Sequence, residues 1–416
     1  MTTLLATADL HVSSTQALAG SRPIDPETGE PRVLVDARNT LDWICAQADE
    51  HAVDAVLVAG DIYESPTPGP GAEAVVNRAF AAIASKRPVA VLLGNHDRPN
   101  GSGAHALEPL KHLRPGVVTV IDTFQVHSLS EGMIRRIDPG AVLRSGLGRA
   151  PRALIFPVPY PSRGALAAMT GSGAETNAAM AEMLDGIIQA HAVVARELRT
   201  LWPGTTMVLF GHGTLRGAAF NDYQTVPLSD APISTGHFET FDACVWGHLH
   251  KRQGAVGTCD TGKTTAFSHG YVGSPDRHSF GEEGDPKGVS IIEGATTRFI
   301  PNDLAREWHT VGPDGIAARE LLDRSVIYRV KGEVTAEQYD DIAARVRQFK
   351  AAGIVFSNTC TVPREDRGRV DDLRLDRGVA GVLDGVFEAR PDLAEHEAVI
   401  RRRVAAAAAG GIMREL

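Results

Sequence analysis

Five apolar runs in this chain each stop at a short polar signature, and that recurrence constrains the fold more than any other feature. The runs 4–8, 54–59, 88–93, 207–210 and 243–246 end, in order, in Asp9-Leu10-His11, Gly60-Asp61-Ile62-Tyr63-Glu64, Gly94-Asn95-His96-Asp97, Gly211-His212-Gly213 and Gly247-His248-Leu249-His250. Short apolar runs punctuated by glycine read as strands buried on both faces. When such strands alternate with helices, the residues that bind ligands collect at the carboxyl edge of the sheet. The last signature holds two imidazoles one residue apart, which a regular strand would send to opposite faces. The glycine before them lets the chain turn, so that both rings approach one small volume.

Helical periodicity fills the intervals. It covers about residues 35–50, with Leu41, Ile44 or Cys45, and Ala48 on one face, then about 72–85 and about 176–201. Further strands are expected at 117–121 and 153–158. A strand-rich stretch running to about residue 300 is expected to form a second sheet packed on the first. Beyond it, strand 325–330, helix 335–350 and strand 353–358 make a compact β-α-β unit. A charged segment, 363–376, reads as a linker. The tail holds helical runs at about 379–388 and 393–408, the second carrying Arg401-Arg402-Arg403. A chain of 416 residues is too long for one ordinary core. The expected fold class is α/β (α+β): a two-sheet sandwich flanked by helices over 1–310, a small β-α-β domain over 320–362, the linker, and a helical tail over 377–416.

The cysteines Cys45, Cys244, Cys259 and Cys360 form no C-x-x-C pair and read as reduced thiols of a cytoplasmic protein. No run approaches the roughly 18 apolar residues of a membrane span, and the first residues lack a signal-peptide core. The net charge is -9, so binding to nucleic acid would rest on local basic patches and bound metal. Arg135, Arg136, Arg144, Arg149 and Arg152 stand among glycines. They read either as a solvated loop or as backbone-phosphate contacts near the active site.

The strand ends together supply Asp9, His11, Asp61, Asn95, His96, His212, His248 and His250. Oxygen and imidazole donors in combination suit first-row divalent ions such as Mn, Fe or Zn. Two such ions serve phosphate-ester hydrolysis by clamping phosphoryl oxygens and supplying a hydroxide, and Asp61 is the candidate for the carboxylate they share. Each signature alone is weak, since Gly-Asp marks many turns and a single histidine is often a satisfied core residue. Their fixed order, each after a buried strand, is what points to metal.

D-x-H, G-D, G-N-H-D, G-H and G-H-x-H in this order resemble the calcineurin-like metallophosphoesterases. The resemblance implies one metal held by Asp9, His11, Asp61 and His250, and another held by Asp61, Asn95, His212 and His248. It makes His96 a catalytic non-ligand that stabilises the pentavalent phosphate or protonates the leaving oxygen, with Asp97 orienting it. Protein phosphatases of the superfamily carry G-D-x-x-D-R-G and G-N-H-E, and Glu64 and Asp97 disfavour them.

The segments Gly60–Tyr63, Gly211–Ala218, Tyr271–Pro275 and Ser279–Glu282 resemble SbcD-type DNA repair nucleases over about residues 3–300. The resemblance runs more loosely through 325–358, which looks like that family's DNA-capping domain. It implies a manganese-dependent phosphodiesterase, exonuclease on duplex ends and endonuclease on single strands. The implied assembly is a homodimer with an SbcC-like, SMC-type coiled-coil ATPase, acting on DNA and not at a membrane, with the tail docking on the ATPase. Glu64 stands where relatives carry another polar or acidic residue or a histidine, which leaves the balance of the two nuclease activities open. Arg98 replaces an expected small residue. Two other readings remain: a small-molecule or nucleotide phosphodiesterase, and a DNA-binding scaffold for the ATPase.

Overall fold

The computed structural model describes residues 2–98, 104–146, 148–160, 177–220, 231–254, 269–317, 323, 325–362, 383, 387, 393 and 396–409. Its first sheet is built from β1 (Thr3–Thr7), β2 (Ala55–Val58), β3 (Val89–Leu92), β4 (Val118–Ile121), β12 (Gly288–Glu293) and β13 (Thr296–Pro301). They lie in the order β13-β12-β1-β2-β3-β4. The four early strands are mutually parallel, while β12 pairs antiparallel with β1.

The second sheet is built from β5 (His127–Ser130), β6 (Met133–Arg136), β7 (Ala153–Val158), β8 (Thr206–His212), β9 (Ala243–Gly247), β10 (Gln253–Gly254) and β11 (His269–Tyr271). Its order is β10-β11-β9-β8-β7-β5-β6. The expectation that the whole later part of the chain forms this sheet is corrected at β12 and β13. They return to the first sheet, where the antiparallel register Leu5↔Ile291 closes the edge beside β1.

Strand periodicity explains the layering. In β1 to β3, Leu5, Val56, Val58, Val89 and Val91 face the helices Arg32–Glu50 and Pro70–Ala84. The alternate residues Leu4, Ala6, Ala55, Leu57, Ala90 and Leu92 face Ala153, Ile155, Val208, Phe210, Ala243 and Val245 of the second sheet. Alanine recurs on this inner face, where small side chains bring the two sheets close. The outer face of the second sheet is covered by helix Asn177–Leu201 through Met180, Leu184, Ile188 and Leu198. Four layers result: helices, sheet, sheet, helix. By length and composition helix Asn177–Leu201 could cross a membrane. In this fold its apolar stripe packs on Phe156 and Leu209.

His191 on that helix is buried, with Nε2 3.1 Å from the Pro157 carbonyl. Burial pushes its pKa down to about 4, although the carbonyl opposes the shift. A folded pKa below the unfolded value of about 6.5 gives stability that is present above pH 6.5 and lost as pH falls through 4. Denaturant unfolding is expected to lose about 3 kcal/mol across that window. Urea titrations at pH 7 and pH 4 check this, and His191→Phe should flatten the slope.

A third, all-parallel sheet consists of β14 (Trp308–Val311), β15 (Ile327–Val330) and β16 (Phe356–Asn358), with helix Ala336–Ala351 between the last two strands. The chain divides into two compact units, Met1–Gly332 with Glu337–Cys360, and Glu333–Ala336 with Thr361–Leu416. In the second unit a helix spans Glu397–Ala409, and Arg401 pairs with Glu397 at 2.8 Å. The expected linker lies outside the described residues. So does the earlier tail run, apart from Leu383 and Phe387.

The arginines at 149 and 152 lie just before β7, whose Ala153 pairs with Thr206 at the start of β8, whereas His212 ends β8. Strand rise over that length separates them by roughly 20 Å. Arg152 forms an ion pair with Asp54, and Arg135 and Arg136 are exposed on β6. This corrects the reading of Arg149 and Arg152 as phosphate contacts near the active site.

Candidate metal centre

All five signatures meet at one edge of the sandwich. Parallel pairing continues past the strand ends, with Asp9 N donating to Gly60 O at 3.1 Å and His11 N to Asp61 O at 3.0 Å. This puts the first two signatures side by side. The backbone is strained as a result: Asp9 (φ 54), His11 (φ 44), Asp61 (φ 52) and His248 (φ 103) all occupy the left-handed region that ordinary side chains avoid. Gly94 is required for a different reason. A Cβ there would collide with the backbone N and Oδ1 of Asp61.

Asp61 is buried at the centre. Its Oδ1 accepts from His96 N at 2.9 Å, while Oδ2 lies 3.3 Å from His212 Nε2 and 3.7 Å from His11 Nε2. Asp9 Oδ1 accepts from His248 N at 2.8 Å, and its Oδ2 is buried without a hydrogen-bond partner among the described residues. Asn95 Oδ1 stands 2.9 Å from both His212 Nε2 and His248 Nδ1. His250 Nε2 stands 3.0 Å from His11 Nε2.

The protons explain what the arrangement needs. His212 Nδ1 donates to the Ala59 carbonyl at 2.7 Å, so a neutral ring turns a lone pair at Nε2 towards the oxygens of Asn95 and Asp61. His250 Nδ1 faces Glu282 Oε1 at 3.0 Å. His11 Nδ1 lies 2.9 Å from Glu64 Oε2, off the line of a good hydrogen bond. With their Nδ1 protons turned to those carboxylates, His11 and His250 oppose lone pairs at Nε2. Lone pairs of neutral His11, His212 and His250 thus face the oxygens of Asp61 and Asn95 and one another, an arrangement that a cation satisfies.

The electrostatics agree. Burial opposes ionisation of Asp61, but His212, His11 and His96 outweigh it and hold the carboxyl well below its usual range. Burial likewise opposes charge on His212, yet Asp61 and Asp9 push it up to about 9. Lacking a metal, the carboxylates draw a proton onto histidine. A divalent ion answers the same demand and reverses that shift. The donor set therefore fits two ions, with Asp9, His11 and Asp61 in one group of close donors and Asp61, His212 and His248 in another.

One expectation about roles changes. Asp97 does not orient His96. Its carboxylate accepts from the backbone N–H of Ile62, Tyr63 and Gly94 at 3.0, 3.1 and 3.1 Å, tying the second signature to the third. His96 Nδ1 instead meets the Glu64 carbonyl at 2.9 Å. Adjacent side chains diverge, so nearness in sequence misled here. Residues without an assigned role also join the site: His278 Nε2 lies 3.1 Å from the Asp9 carbonyl, and the Tyr160 ring stacks 6.2 Å from that of His248. Neither stands in a recognisable spacing. A further group, His105, Glu108 and Asp122, already holds the Lys111 ammonium at 2.9 Å from Glu108 and 2.7 Å from Asp122.

Among curated proteins, the chain is 28% identical over 261 residues to the SbcD component of the SbcCD nuclease from Escherichia coli K12, covering 61% of this chain and 58% of that protein. It is 25% identical over 303 residues to the Bacillus subtilis protein of the same name, covering 70% of this chain and 66% of that one. The matched stretch thus spans under two thirds of either relative. Among solved structures, the calcineurin-like phosphoesterase YfkN from Bacillus subtilis aligns with 73% of this chain and 90% of its own at 12% identity, TM-score 0.36. The family model for calcineurin-like phosphoesterases matches residues 2–138, a stretch containing Asp9, His11, Asp61, Asn95, His96 and Asp97. Residues 2–138 are therefore similar to calcineurin-like phosphoesterases, and the second sheet brings His212, His248 and His250 to the same edge as the residues of that stretch.

Proposed function

We propose that this chain hydrolyses phosphodiester bonds of DNA, exonucleolytically at duplex ends and endonucleolytically on single strands, as the nuclease component of an SbcCD-like repair and recombination complex. The observation that carries the chemistry is the convergence of acceptors on Asp61 Oδ2, 3.3 Å from His212 and 3.7 Å from His11. The names of the relatives support the substrate. Asp9, His11, Asp61 and His250 would hold one ion, and Asp61, Asn95, His212 and His248 the other, with manganese the metal of choice. When bound, the ions neutralise phosphoryl oxygens and lower the pKa of water. His96, seated by the Glu64 carbonyl, would act on the phosphate or the leaving oxygen; Asp97 would hold the surrounding backbone.

In this reading residues 1–310 form the nuclease domain and 320–362 cap DNA. Residues 363–376 link them to a tail, 377–416, that docks on an SMC-type coiled-coil ATPase. The working form is a cytoplasmic homodimer. The test incubates the pure protein with manganese and labelled linear duplex, beside cyclic nucleotides and bis-p-nitrophenyl phosphate. Degradation of duplex at a rate well above that of the cyclic nucleotides is expected. The reverse preference would establish the second reading, a nucleotide phosphodiesterase, which the net charge of -9 favours.

A further inference from the structure

His250 is aimed by a buried ion pair outside its own strand. Glu282 is 1% exposed, and its Oε1 lies 3.0 Å from His250 Nδ1. The other oxygen, Oε2, accepts from Lys287 Nζ at 2.6 Å. Lys287 is equally buried and also donates to the His250 carbonyl at 3.1 Å and to Ser274 Oγ at 2.9 Å. One ammonium therefore fixes both the carboxylate that meets the ring and the backbone that carries it. A carboxylate on Nδ1 selects the tautomer with its lone pair on Nε2, the nitrogen that faces His11.

The segment that bears Glu282 is in turn gripped by the third sheet. Glu283 accepts from Thr310 N at 2.8 Å and from Thr310 Oγ1 at 2.5 Å. Arg329 Nε donates to the same Thr310 oxygen at 3.1 Å, and its guanidinium lies 4.4 Å over the Phe280 ring. Phe280 meets Trp308 edge to face at 4.7 Å. The two residues flanking Gly281–Glu282 are thus clamped by β14 and β15. No contact between this sheet and the metal-ligating histidines is needed for it to influence them.

We infer that Glu282 is a positioning residue for His250, and that the third sheet sets its position through Glu283 and Phe280. The inference rests on the reading of His250 as a metal ligand. A purely structural role for the Glu282–Lys287 pair predicts that replacing both with apolar residues of similar volume changes little, because such replacements are often neutral or stabilising. The positioning role predicts a local effect at His250.

The test uses the full chain with Glu282→Leu and Lys287→Met together, which leaves no unpaired buried charge. The expected result is that manganese affinity at the weaker site falls about 10- to 100-fold, as is typical when the outer partner of a ligating histidine is lost. In metal-free protein the 15N signal of His250 Nδ1 should move from its protonated position towards a mixture of tautomers. Glu282→Asp keeps Lys287 paired and should move the same signal, so the outcome does not depend on the double variant folding. Thr310→Val with Glu283→Gln loosens the clamp at a distance and should shift the His250 signal partway in the same direction. An unmoved His250 signal with unchanged manganese affinity in the Glu282 variants overturns the positioning role. An unmoved signal in the clamp variant alone overturns the part played by the third sheet. His250→Ala retaining two bound ions would instead overturn the ligand assignment beneath both.

Discussion

Asp61→Asn is expected to abolish hydrolysis and to remove at least one bound ion while the sandwich stays folded. Asp61 Oδ2 is the one oxygen that both donor groups share, so its charge is the common requirement of two cations. Asparagine keeps the volume of a fully buried side chain and can still accept from His96 N through Oδ1, which limits the cost to the fold. It cannot supply the negative charge that outweighs the desolvation of His212 and His11. Turnover should therefore fall at least about 1,000-fold, beyond the tenfold to hundredfold lost with outer partners. Metal analysis on the folded variant checks the claim: two full equivalents of manganese with activity lost would show that Asp61 is not shared. An accompanying sign is spectroscopic. The His212 ring should no longer hold a proton near pH 8 in the metal-free variant, because Asp61 is the principal cause of its raised pKa.

How much of this centre the sequence displays depends on how local its causes are. Strand ends at residues 9, 61, 95, 212 and 248 are legible because buried strands leave uninterrupted apolar runs, and glycine marks where they stop. The sheets to which strands belong are less legible. The pairing of β12 with β1 joins Leu5 to Ile291, and such a register is set by packing across the whole domain. The left-handed backbone at Asp9, His11 and Asp61 carries no glycine to announce it, since the surrounding hydrogen bonds and packing impose it. Glu282 meets His250 from 32 residues away, in a segment whose resemblance to known nucleases says nothing of its role. Asp97 shows the opposite failure. Its place beside His96 suggests a catalytic pair, but three backbone N–H groups claim its carboxylate instead.

His96→Ala separates chemistry from metal binding. In the proposed assignment it stands among the ligands without being one. Its own backbone N–H serves Asp61 Oδ1 at 2.9 Å, a contact that alanine preserves. Its ring is held by the Glu64 carbonyl at Nδ1, which leaves Nε2 to exchange a proton with substrate. The ring packs edge-on against His11, with centroids 4.6 Å apart, so truncation opens space beside a ligand without removing one. Turnover should fall by about 100- to 10,000-fold, the contribution of a lost acid–base group. Manganese content should stay at the wild-type value, and KM should change little if the ring acts mainly in the transition state. A leaving-group series sharpens the test. If His96 protonates the leaving oxygen, diesters with an activated p-nitrophenol should suffer less than DNA, because that oxygen departs without help. An equal loss on both substrates would move His96 from acid to stabiliser of the phosphate. Loss of an ion together with activity would place it among the ligands and overturn the assignment.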